Sequence, residues 1–301
     1  MAARKSKGKR YACQKHIEIN VDPDGNKQFV DVARCLSEVN HRLYRQSRVY
    51  RCKVNHLGNP TDRGKLDVYV LRDTWMLQKA YQMAKDTYDK NMIEEMTDVS
   101  AKNLARWQDF RIVLEPAASG YTEKLPMVRA NSTLNATTLA NGEFAASRVY
   151  KEDGTSMTFG LVGSTSRWSI VEEYDKTADV DSAPANLVSG SDINPYGELD
   201  NDNVTAARND LQNLGNQPPY DPNSLDGTEL FRKVASIGAA TGAQRLSTGF
   251  FDAPLGLIVF VPSGLTANED FFEVEVQTGD YKGVHGADYI DVNKKFGHRR
   301  P

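Results

Sequence analysis

Short runs in which apolar and polar residues alternate recur along the whole chain, and they constrain its fold more than any other feature. The run HIEINV places Ile17, Ile19 and Val21 on one face, and RVYRCKVNH, KLDVYVL and FFEVEVQ repeat the pattern. Successive side chains of a strand point to opposite faces of a sheet, so each run predicts a strand with one buried face.

Further runs raise the expected number of strands to at least eight. The segments RWQDFRIVL and SMTFGLVG alternate in the same way, and RWSIVEEY follows a short STS turn as the expected hairpin partner of SMTFGLVG. LGLIVFV (Leu255–Val261) is apolar throughout, which predicts a central strand buried on both faces.

One long helix is expected in RDTWMLQKAYQMAKDTYDKNMIEEM, capped by Asp73 or Thr74 and running to Met96. Its apolar residues recur at spacings of three and four, which indicates core packing. They are Leu77, Tyr81, Ala84, Tyr88 and Met92.

Three weaker helices are also expected. VDVARCLSEVNHRLYRQ would turn Val32, Leu36, Val39 and Leu43 inward. The two shorter candidates are Glu143–Tyr150 and Leu230–Ile237. Many short strands without regular strand–helix alternation predict an all-β antiparallel sandwich or barrel, a class that includes the eight-stranded jelly rolls.

Composition narrows the class of protein. The 301 residues are 40% hydrophobic and contain no run of eighteen apolar residues, so no membrane span is expected. The basic N-terminus lacks the apolar segment of a secretory signal. Cys13, Cys35 and Cys52 are odd in number and form no CxxC pair, which indicates reduced thiols and a cytosolic or nuclear setting.

Positive charge is concentrated at both ends of the chain. Residues 1–15 carry six basic and no acidic residues, and residues 294–301 carry four basic residues. Of 37 basic residues in all, 27 remain between the ends against 40 acidic ones. We therefore expect a basic arm at 1–15, one acidic folded domain at 16–293 and a basic tail at 294–301.

The stretch 176–229 is expected to be a long acidic surface loop inserted in that domain. It contains ten acidic and two basic residues together with five prolines. The groups DVD (Asp179–Asp181) and ELDNDN (Glu198–Asn203) could hold calcium weakly, although a solvated acidic loop is the preferred interpretation.

Catalytic motifs are absent from the sequence. It contains no HExxH, GxSxG, Walker A or EF-hand pattern, and its five histidines lack metal-ligand spacing. The small-residue run GAATGAQRLSTG is interpreted as a flexible strand segment, with an anion cradle as the less favoured alternative. We therefore expect neither an enzyme nor a cofactor or metal site.

The basic arm is the strongest functional signal. Clustered Lys and Arg neutralise phosphates without reading sequence, so nucleic acid is the expected partner, with nuclear import as an alternative role. The expected contact residues are Arg4, Lys5, Lys7, Lys9, Arg10 and Lys15.

A basic arm before an all-β body, closed by DAPLGLIVFVPSGLTANEDFFEVEVQTGDYKGVHGADYI (Asp252–Ile290), resembles capsid proteins of small circular single-stranded DNA viruses. These are the viruses that encode a replication initiator, and the likeness is greatest to their environmental and marine group. The arm here is shorter and richer in Lys than circovirus-like arms, so it would neutralise only part of a genome's charge.

The resemblance implies an eight-stranded antiparallel jelly-roll sandwich with inserted helices and long loops. It also implies self-assembly of many copies into an icosahedral shell around single-stranded DNA, with the arm facing the DNA and no membrane partner. The protein would be located in the virion, and in the host nucleus or cytoplasm during assembly. Two alternatives remain open: an RNA-virus coat protein of the same fold, and a sandwich-fold ligand-binding module. A hydrolase that uses carboxylates from the acidic loop is a third, less favoured alternative.

Overall fold

Two large β-sheets form the frame of the protein. The computed structural model describes residues 11–23, 27–57, 64–96, 107, 109–114, 121–130, 135–139, 157–159, 168–171, 174, 230–240, 243–265 and 271–290. The first strands are β1 (His16–Asn20), β2 (Gln28–Asp31), β3 (Arg48–His56), β4 (Lys65–Leu71), β5 (Val113–Leu114), β6 (Thr122–Glu123), β7 (Met127–Ala130), β8 (Asn135–Thr138) and β9 (Met157–Phe159). The others are β10 (Trp168–Ser169), β11 (Phe231–Ala240), β12 (Ala243–Arg245), β13 (Phe251–Pro254), β14 (Leu257–Ser263), β15 (Phe271–Val276), β16 (Thr278–Gly279), β17 (Gly283–Val284) and β18 (Gly286–Asp288). The helices are α1 (Val32–Asn40) and α2 (Trp75–Met96).

The chain passes repeatedly between the two sheets. The first sheet has the order β13-β3-β15-β1-β7-β8, with β18 also paired to β3. The second has the order β12-β11-β4-β14-β2-β6. Pairing is antiparallel throughout both sheets except between β2 and β6, which run parallel. The expected all-β class is confirmed, and the sheets are antiparallel and mixed.

The first core fills the space between the sheets. Ile17 and Ile19 of β1 lie opposite Val274 and Phe272 of β15, and Val274 is in turn opposite Val54 of β3. All five are almost fully buried. The alternation in these runs therefore predicts correctly which side chains face inward.

A second core covers the other face of the second sheet. Ile258 and Phe260 of β14 belong to the core between the sheets, whereas Leu257 and Val259 belong to the cluster under α2. This strand is flanked by β4 and β2. The expectation of a central strand buried on both faces is confirmed, because the molecule has three layers at this point.

Helix α2 covers the second sheet with the stripe expected from the sequence. Thr74 Oγ1 accepts a hydrogen bond from the backbone N–H of Leu77 at 3.3 Å, as an N-cap should. Leu77, Tyr81, Ala84 and Tyr88 are buried. Within the described residues, neither helix combines the length and apolar character needed to cross a membrane.

Helix α1 joins the sheets but is shorter than expected. Asp31 caps it by accepting a hydrogen bond from the N–H of Arg34 at 3.0 Å. It ends at His41, whose φ of 49° is left-handed. Val32 and Leu36 face the core as expected, while Val39 is half-buried and Leu43 lies beyond the helix.

The expectation of a helix at Leu230–Ile237 is wrong, because this segment forms most of β11. A register shift between Lys233 and Ala235 interrupts its pairing with β4. Phe231 therefore packs under α2, whereas Ile237 joins the core between the sheets, although both positions are odd-numbered. Because of this bulge, the apolar residues of the strand recur at a spacing that resembles the spacing of a helix.

The expected hairpin between SMTFGLVG and RWSIVEEY is also wrong. β9 and β10 pair in parallel, with Trp168 opposite Met157 and Ser169 opposite Thr158, and β5 joins β9 in parallel as well. Apolar alternation assigns faces to a strand but contains no information on its direction. Among the described residues of RWQDFRIVL, Val113–Leu114 alone is a strand.

The first part of the run GAATGAQRLSTG forms strand structure, because the end of β11 pairs antiparallel with β12 between Gly238 and Arg245. The predicted helix at Glu143–Tyr150, the acidic loop at 176–229 and the tail at 294–301 lie outside the described residues.

Candidate nucleic-acid interface

The structure describes one of the six basic residues expected to bind nucleic acid. Lys15 lies just before β1, and its Nζ donates a hydrogen bond to Thr278 Oγ1 at 2.7 Å. Arg4, Lys5, Lys7, Lys9 and Arg10 lie outside the described residues. Because Tyr11 directly follows Arg10, the surroundings of Tyr11 show where the arm joins the body.

Four basic side chains surround that junction, and we call them the basic patch: Arg42, Arg45, Arg48 and Lys282. The first three come from the connection between α1 and β3 and from the start of β3. Lys282 comes from the turn between β16 and β17. Arg42 and Arg45 are exposed, whereas Arg48 and Lys282 are half-buried.

Tyrosine rings lie between these cations. The guanidinium carbon of Arg48 lies 3.7 Å from the ring centroid of Tyr281. Lys282 Nζ lies 5.3 Å from the same ring, and Arg42 lies 5.9 Å from the ring of Tyr11. Cations over aromatic faces are held in place by the ring quadrupole, which orders side chains that would otherwise sample many rotamers.

The turn at Lys282 and Gly283 requires unusual backbone geometry. Lys282 has a φ of 53° and Gly283 a φ of 100°. A Cβ atom on Gly283 would lie 2.8 Å from the Cβ of Cys13 and 3.2 Å from the carbonyl oxygen of Tyr11. Glycine therefore allows residues 11–13 to lie directly against this turn.

Hydrogen bonds fix the patch to the chain around it. The hydroxyl of Tyr44 donates to the carbonyl oxygen of Lys282 at 3.0 Å, and the Nζ of Lys282 donates to the carbonyl oxygen of Leu43. The N–H of Arg45 donates to the hydroxyl of Tyr281 at 3.0 Å. These hydrogen bonds therefore fix the α1–β3 connection and the β16–β17 turn in position against each other.

A buried polar network supports the patch from below. Arg111 forms an ion pair with Asp31 at 2.6 Å and donates to the carbonyl oxygen of Tyr44 at 3.1 Å. The N–H of Gln46 donates to Asp109 Oδ2 at 2.9 Å. Burial raises the pKa of Asp109, although Arg111 and the Gln46 N–H act in the opposite direction. Residues 109–112 thus anchor the loop that displays Arg42 and Arg45.

The patch is a region of mutual positive repulsion. Partial burial, followed by the charges of Arg42, Arg45 and Arg48, lowers the pKa of Lys282 below its usual range. Asp109 gives some compensation, with its Oδ1 3.8 Å from Arg45 Nη1. A phosphate bound here would relieve repulsion that the folded protein otherwise carries.

Both basic ends of the chain join the body at this corner. At the N-terminal end, Cys13 Sγ lies 3.1 Å from the hydroxyl of Tyr44. At the C-terminal end, Asp288 forms an ion pair with Arg48 at 3.0 Å, and the N–H of Tyr289 donates to the carbonyl oxygen of Ser47. The described residues nearest to the basic arm and to the basic tail therefore lie beside the same four cations.

The basic patch was not anticipated from the sequence, although a signal for it is present. In HRLYRQSRVYR, arginine recurs at every third residue from 42 to 51, with Tyr44 and Tyr50 between them. No acidic residue occurs between Glu38 and Asp62. Lys282 carries no such local signal, because only the fold brings it to these arginines.

The three cysteines are present as free thiols. Burial raises the pKa of Cys35 and of Cys52 well above the usual range, so both stay protonated and pack as small apolar groups.

Comparison of the chain with protein-family models, curated proteins and solved structures finds no match.

Proposed function

We propose that this protein is a viral coat protein that assembles into a small icosahedral shell and packages single-stranded DNA. The observation that carries the proposal is the joining of both basic ends to one corner of the body, beside the basic patch. The residues between the ends are acidic in total, with 27 basic and 40 acidic side chains. A shell subunit needs its positive and negative charges to be separated in this way, because one part of it contacts nucleic acid and the rest contacts neighbouring subunits or solvent.

We also propose that the frame is a jelly roll. Eight antiparallel strands alternate between the sheets as a folded double ribbon would: β1, β15, β3 and β13 in the first sheet, and β2, β14, β4 and β11 in the second. Numbered along the chain, these two rows read 1-8-3-6 and 2-7-4-5. That order supports the proposal, since it is what two interlocked Greek keys produce. The residues between β4 and β11, including α2, are then one long insertion.

The basic patch would extend the DNA contact of a short arm. Lys and Arg side chains bind phosphates by releasing counterions, independently of sequence. The exposed ring of Tyr11, 38% accessible, could stack on an unpaired base while Arg42 and Arg45 contact the backbone beside it. The same corner would then neutralise more phosphate charge than the arm alone.

Binding of a labelled single-stranded oligonucleotide at several salt concentrations tests this role. The double variant Arg42→Ser and Arg45→Ser should bind more weakly than the wild type. Its plot of log affinity against log salt should be shallower by about 1 to 1.5 units, since each lost phosphate contact removes about 0.7 on a single strand. Deletion of residues 1–10 should reduce the slope further.

The matched control is Arg232→Ser, which removes an exposed arginine from β11 of the second sheet. It should leave both affinity and slope close to wild type. If the control and the double variant weaken binding equally, only general charge is involved and the proposed site is wrong. Full binding after both the deletion and the double substitution would contradict the proposal altogether.

A further inference from the structure

A group of ligand-type side chains lies on the outer face of the first sheet and shares no residue with the basic patch. It consists of His16 on β1 with Glu273 and Glu275 on β15, and their ligand atoms all lie within 4.8 Å of one another. His16 is directly opposite Glu275 in the antiparallel register. Its Nδ1 lies 2.8 Å from Glu273 Oε1. The first and the last strand of the proposed eight-strand frame thus meet at this point.

Both carboxylates are oriented by side chains of β3. Asn55 Nδ2 donates to Glu273 Oε2 at 2.9 Å, and Lys53 Nζ lies 2.5 Å from Glu275 Oε2. The Lys53 hydrogen bond lowers the pKa of Glu275 below its usual range. Because both contacts use Oε2, they hold each carboxylate without using its Oε1. Such outer hydrogen bonds are typical of metal ligands, whose orientation they fix.

The carboxylates of this face have different partners. Glu18 forms an ion pair with Arg129, and Glu275 forms one with Lys53. In the described part of the chain, Glu273 contacts the imidazole of His16 and the amide of Asn55. A cation bound between Glu273 and Glu275 would place positive charge beside both carboxylates.

We propose that His16, Glu273 and Glu275 form a binding site for a divalent transition-metal ion, with Zn²⁺ as the best fit. Zinc accepts imidazole nitrogen and carboxylate oxygen together, whereas Mg²⁺ and Ca²⁺ prefer oxygen alone. Ligand atoms of a tetrahedral zinc site lie roughly 3.4 Å apart, given zinc–ligand bonds of about 2.1 Å. Small rotations about the χ angles of the exposed His16 and the half-buried Glu273 and Glu275 would close the remaining gap.

Solvent has access to the site through a neighbouring depression. A cavity of about 480 Å³ is lined by His16, Glu18, Arg129 and Glu273 together with residues of α1 and β7. Ions can enter here, and water can complete the coordination. The bound ion would link β1 to β15 and so stabilise the folded chain by mass action.

Calorimetric titration of the metal-stripped, untagged full chain with Zn²⁺ tests the proposal. Wild type should bind one equivalent of Zn²⁺. His16→Ala and Glu273→Gln should each lose this binding or bind Zn²⁺ about tenfold or more weakly. Zn²⁺ should raise the melting temperature of wild type and not of the two variants. Binding should also weaken towards acidic pH, because imidazole must be neutral to bind metal.

The matched control is Asp252→Asn, which removes an exposed carboxylate from β13 of the same sheet, outside the cavity and the proposed site. It should keep the zinc equivalent. Melting curves without metal show whether each variant is folded, so lost binding is not confused with unfolding. The proposal is overturned if wild type takes up no Zn²⁺, or if the two ligand variants bind it as wild type does. Either outcome would leave the DNA-binding role untouched, because the basic patch shares no residue with this site.

Discussion

The side chain of Gln46 links two segments that are distant in sequence. Its Oε1 accepts from the N–H of Ile112 at 2.7 Å, and its Nε2 donates to the carbonyl oxygen of Ile112 at 2.8 Å and to Asp31 Oδ2 at 3.1 Å. The residue is fully buried. Since buried polar groups must find partners, this one amide satisfies the backbone of a segment that has no sheet partner there.

Replacement of Gln46 by Ala should therefore be costly. It leaves the buried N–H and carbonyl group of Ile112 without these partners, and we expect a loss of about 2 to 4 kcal/mol in the free energy of unfolding. Urea denaturation measures this loss. Gln14→Ala, at an exposed site, is the control and should change stability by less than about 0.5 kcal/mol. Equal urea midpoints for Gln46→Ala and Gln14→Ala would contradict the stabilising role of this hydrogen-bond network.

Asp67 gives a prediction about pH. Partial burial alone would raise its pKa, but hydrogen bonds from Lys233, Ser236 and Lys65 outweigh this and hold the pKa below its usual value. The stabilisation is therefore present above the unfolded pKa of about 3.9 and is lost as pH falls through the lower folded pKa. Urea unfolding of wild type and Asp67→Asn should differ most at about pH 6 and converge towards about pH 3. A difference that grows with acidity would show that the sign is wrong.

At the scale of elements, α2 converts a two-layer sandwich into three layers over the second sheet. Tyr81 lies in the middle of this contact and is fully buried. Its ring is 5.4 Å from that of Phe110 and 5.7 Å from that of Tyr289, measured between centroids. Among the described residues, no hydrogen-bond partner reaches its hydroxyl. The ring of Tyr81 therefore stabilises the fold by packing, whereas its hydroxyl adds no favourable contribution to stability.

Two substitutions separate the ring from the hydroxyl. Tyr81→Ala should lower the free energy of unfolding by about 3 to 5 kcal/mol, because it leaves a cavity between α2 and the sheet. Tyr81→Phe should leave stability unchanged or raise it, because it removes a buried polar atom that has no partner. Thermal and urea unfolding compare the two. A clear loss in Tyr81→Phe would show that the hydroxyl is bonded after all.

The elements that the sequence predicts well are those whose pattern is local. Strands β1, β3, β4, β14 and β15 and the stripe of α2 follow directly from residue periodicity. The bulge in β11 and the parallel direction of β10 depend on which strand lies alongside, and periodicity does not encode this. The residues of the two candidate sites differ in the same way in how far the sequence predicts them. The basic arm is a run of neighbours in the sequence, whereas Lys282 reaches Arg48 and Glu273 reaches His16 only through the pairing of strands.

At the scale of the whole molecule, the separation of charge follows from the positions of the chain ends. The strand β18, close to the C-terminal tail, pairs with the start of β3, and residues 11–13 lie against the turn at Gly283. The described residues next to both basic ends thereby lie beside the four cations of the patch, on a chain whose remaining residues are strongly acidic in total. Such a molecule should attract a polyanion at one corner and repel it elsewhere.

Electron microscopy of the purified full-length protein tests the central claim most directly. The coat-protein account predicts closed isometric particles of many copies that enclose DNA, which a single-strand-specific nuclease digests only after the particles are opened. A protein that remains a monomer or small oligomer at every salt concentration, with no nucleic acid bound, would contradict it.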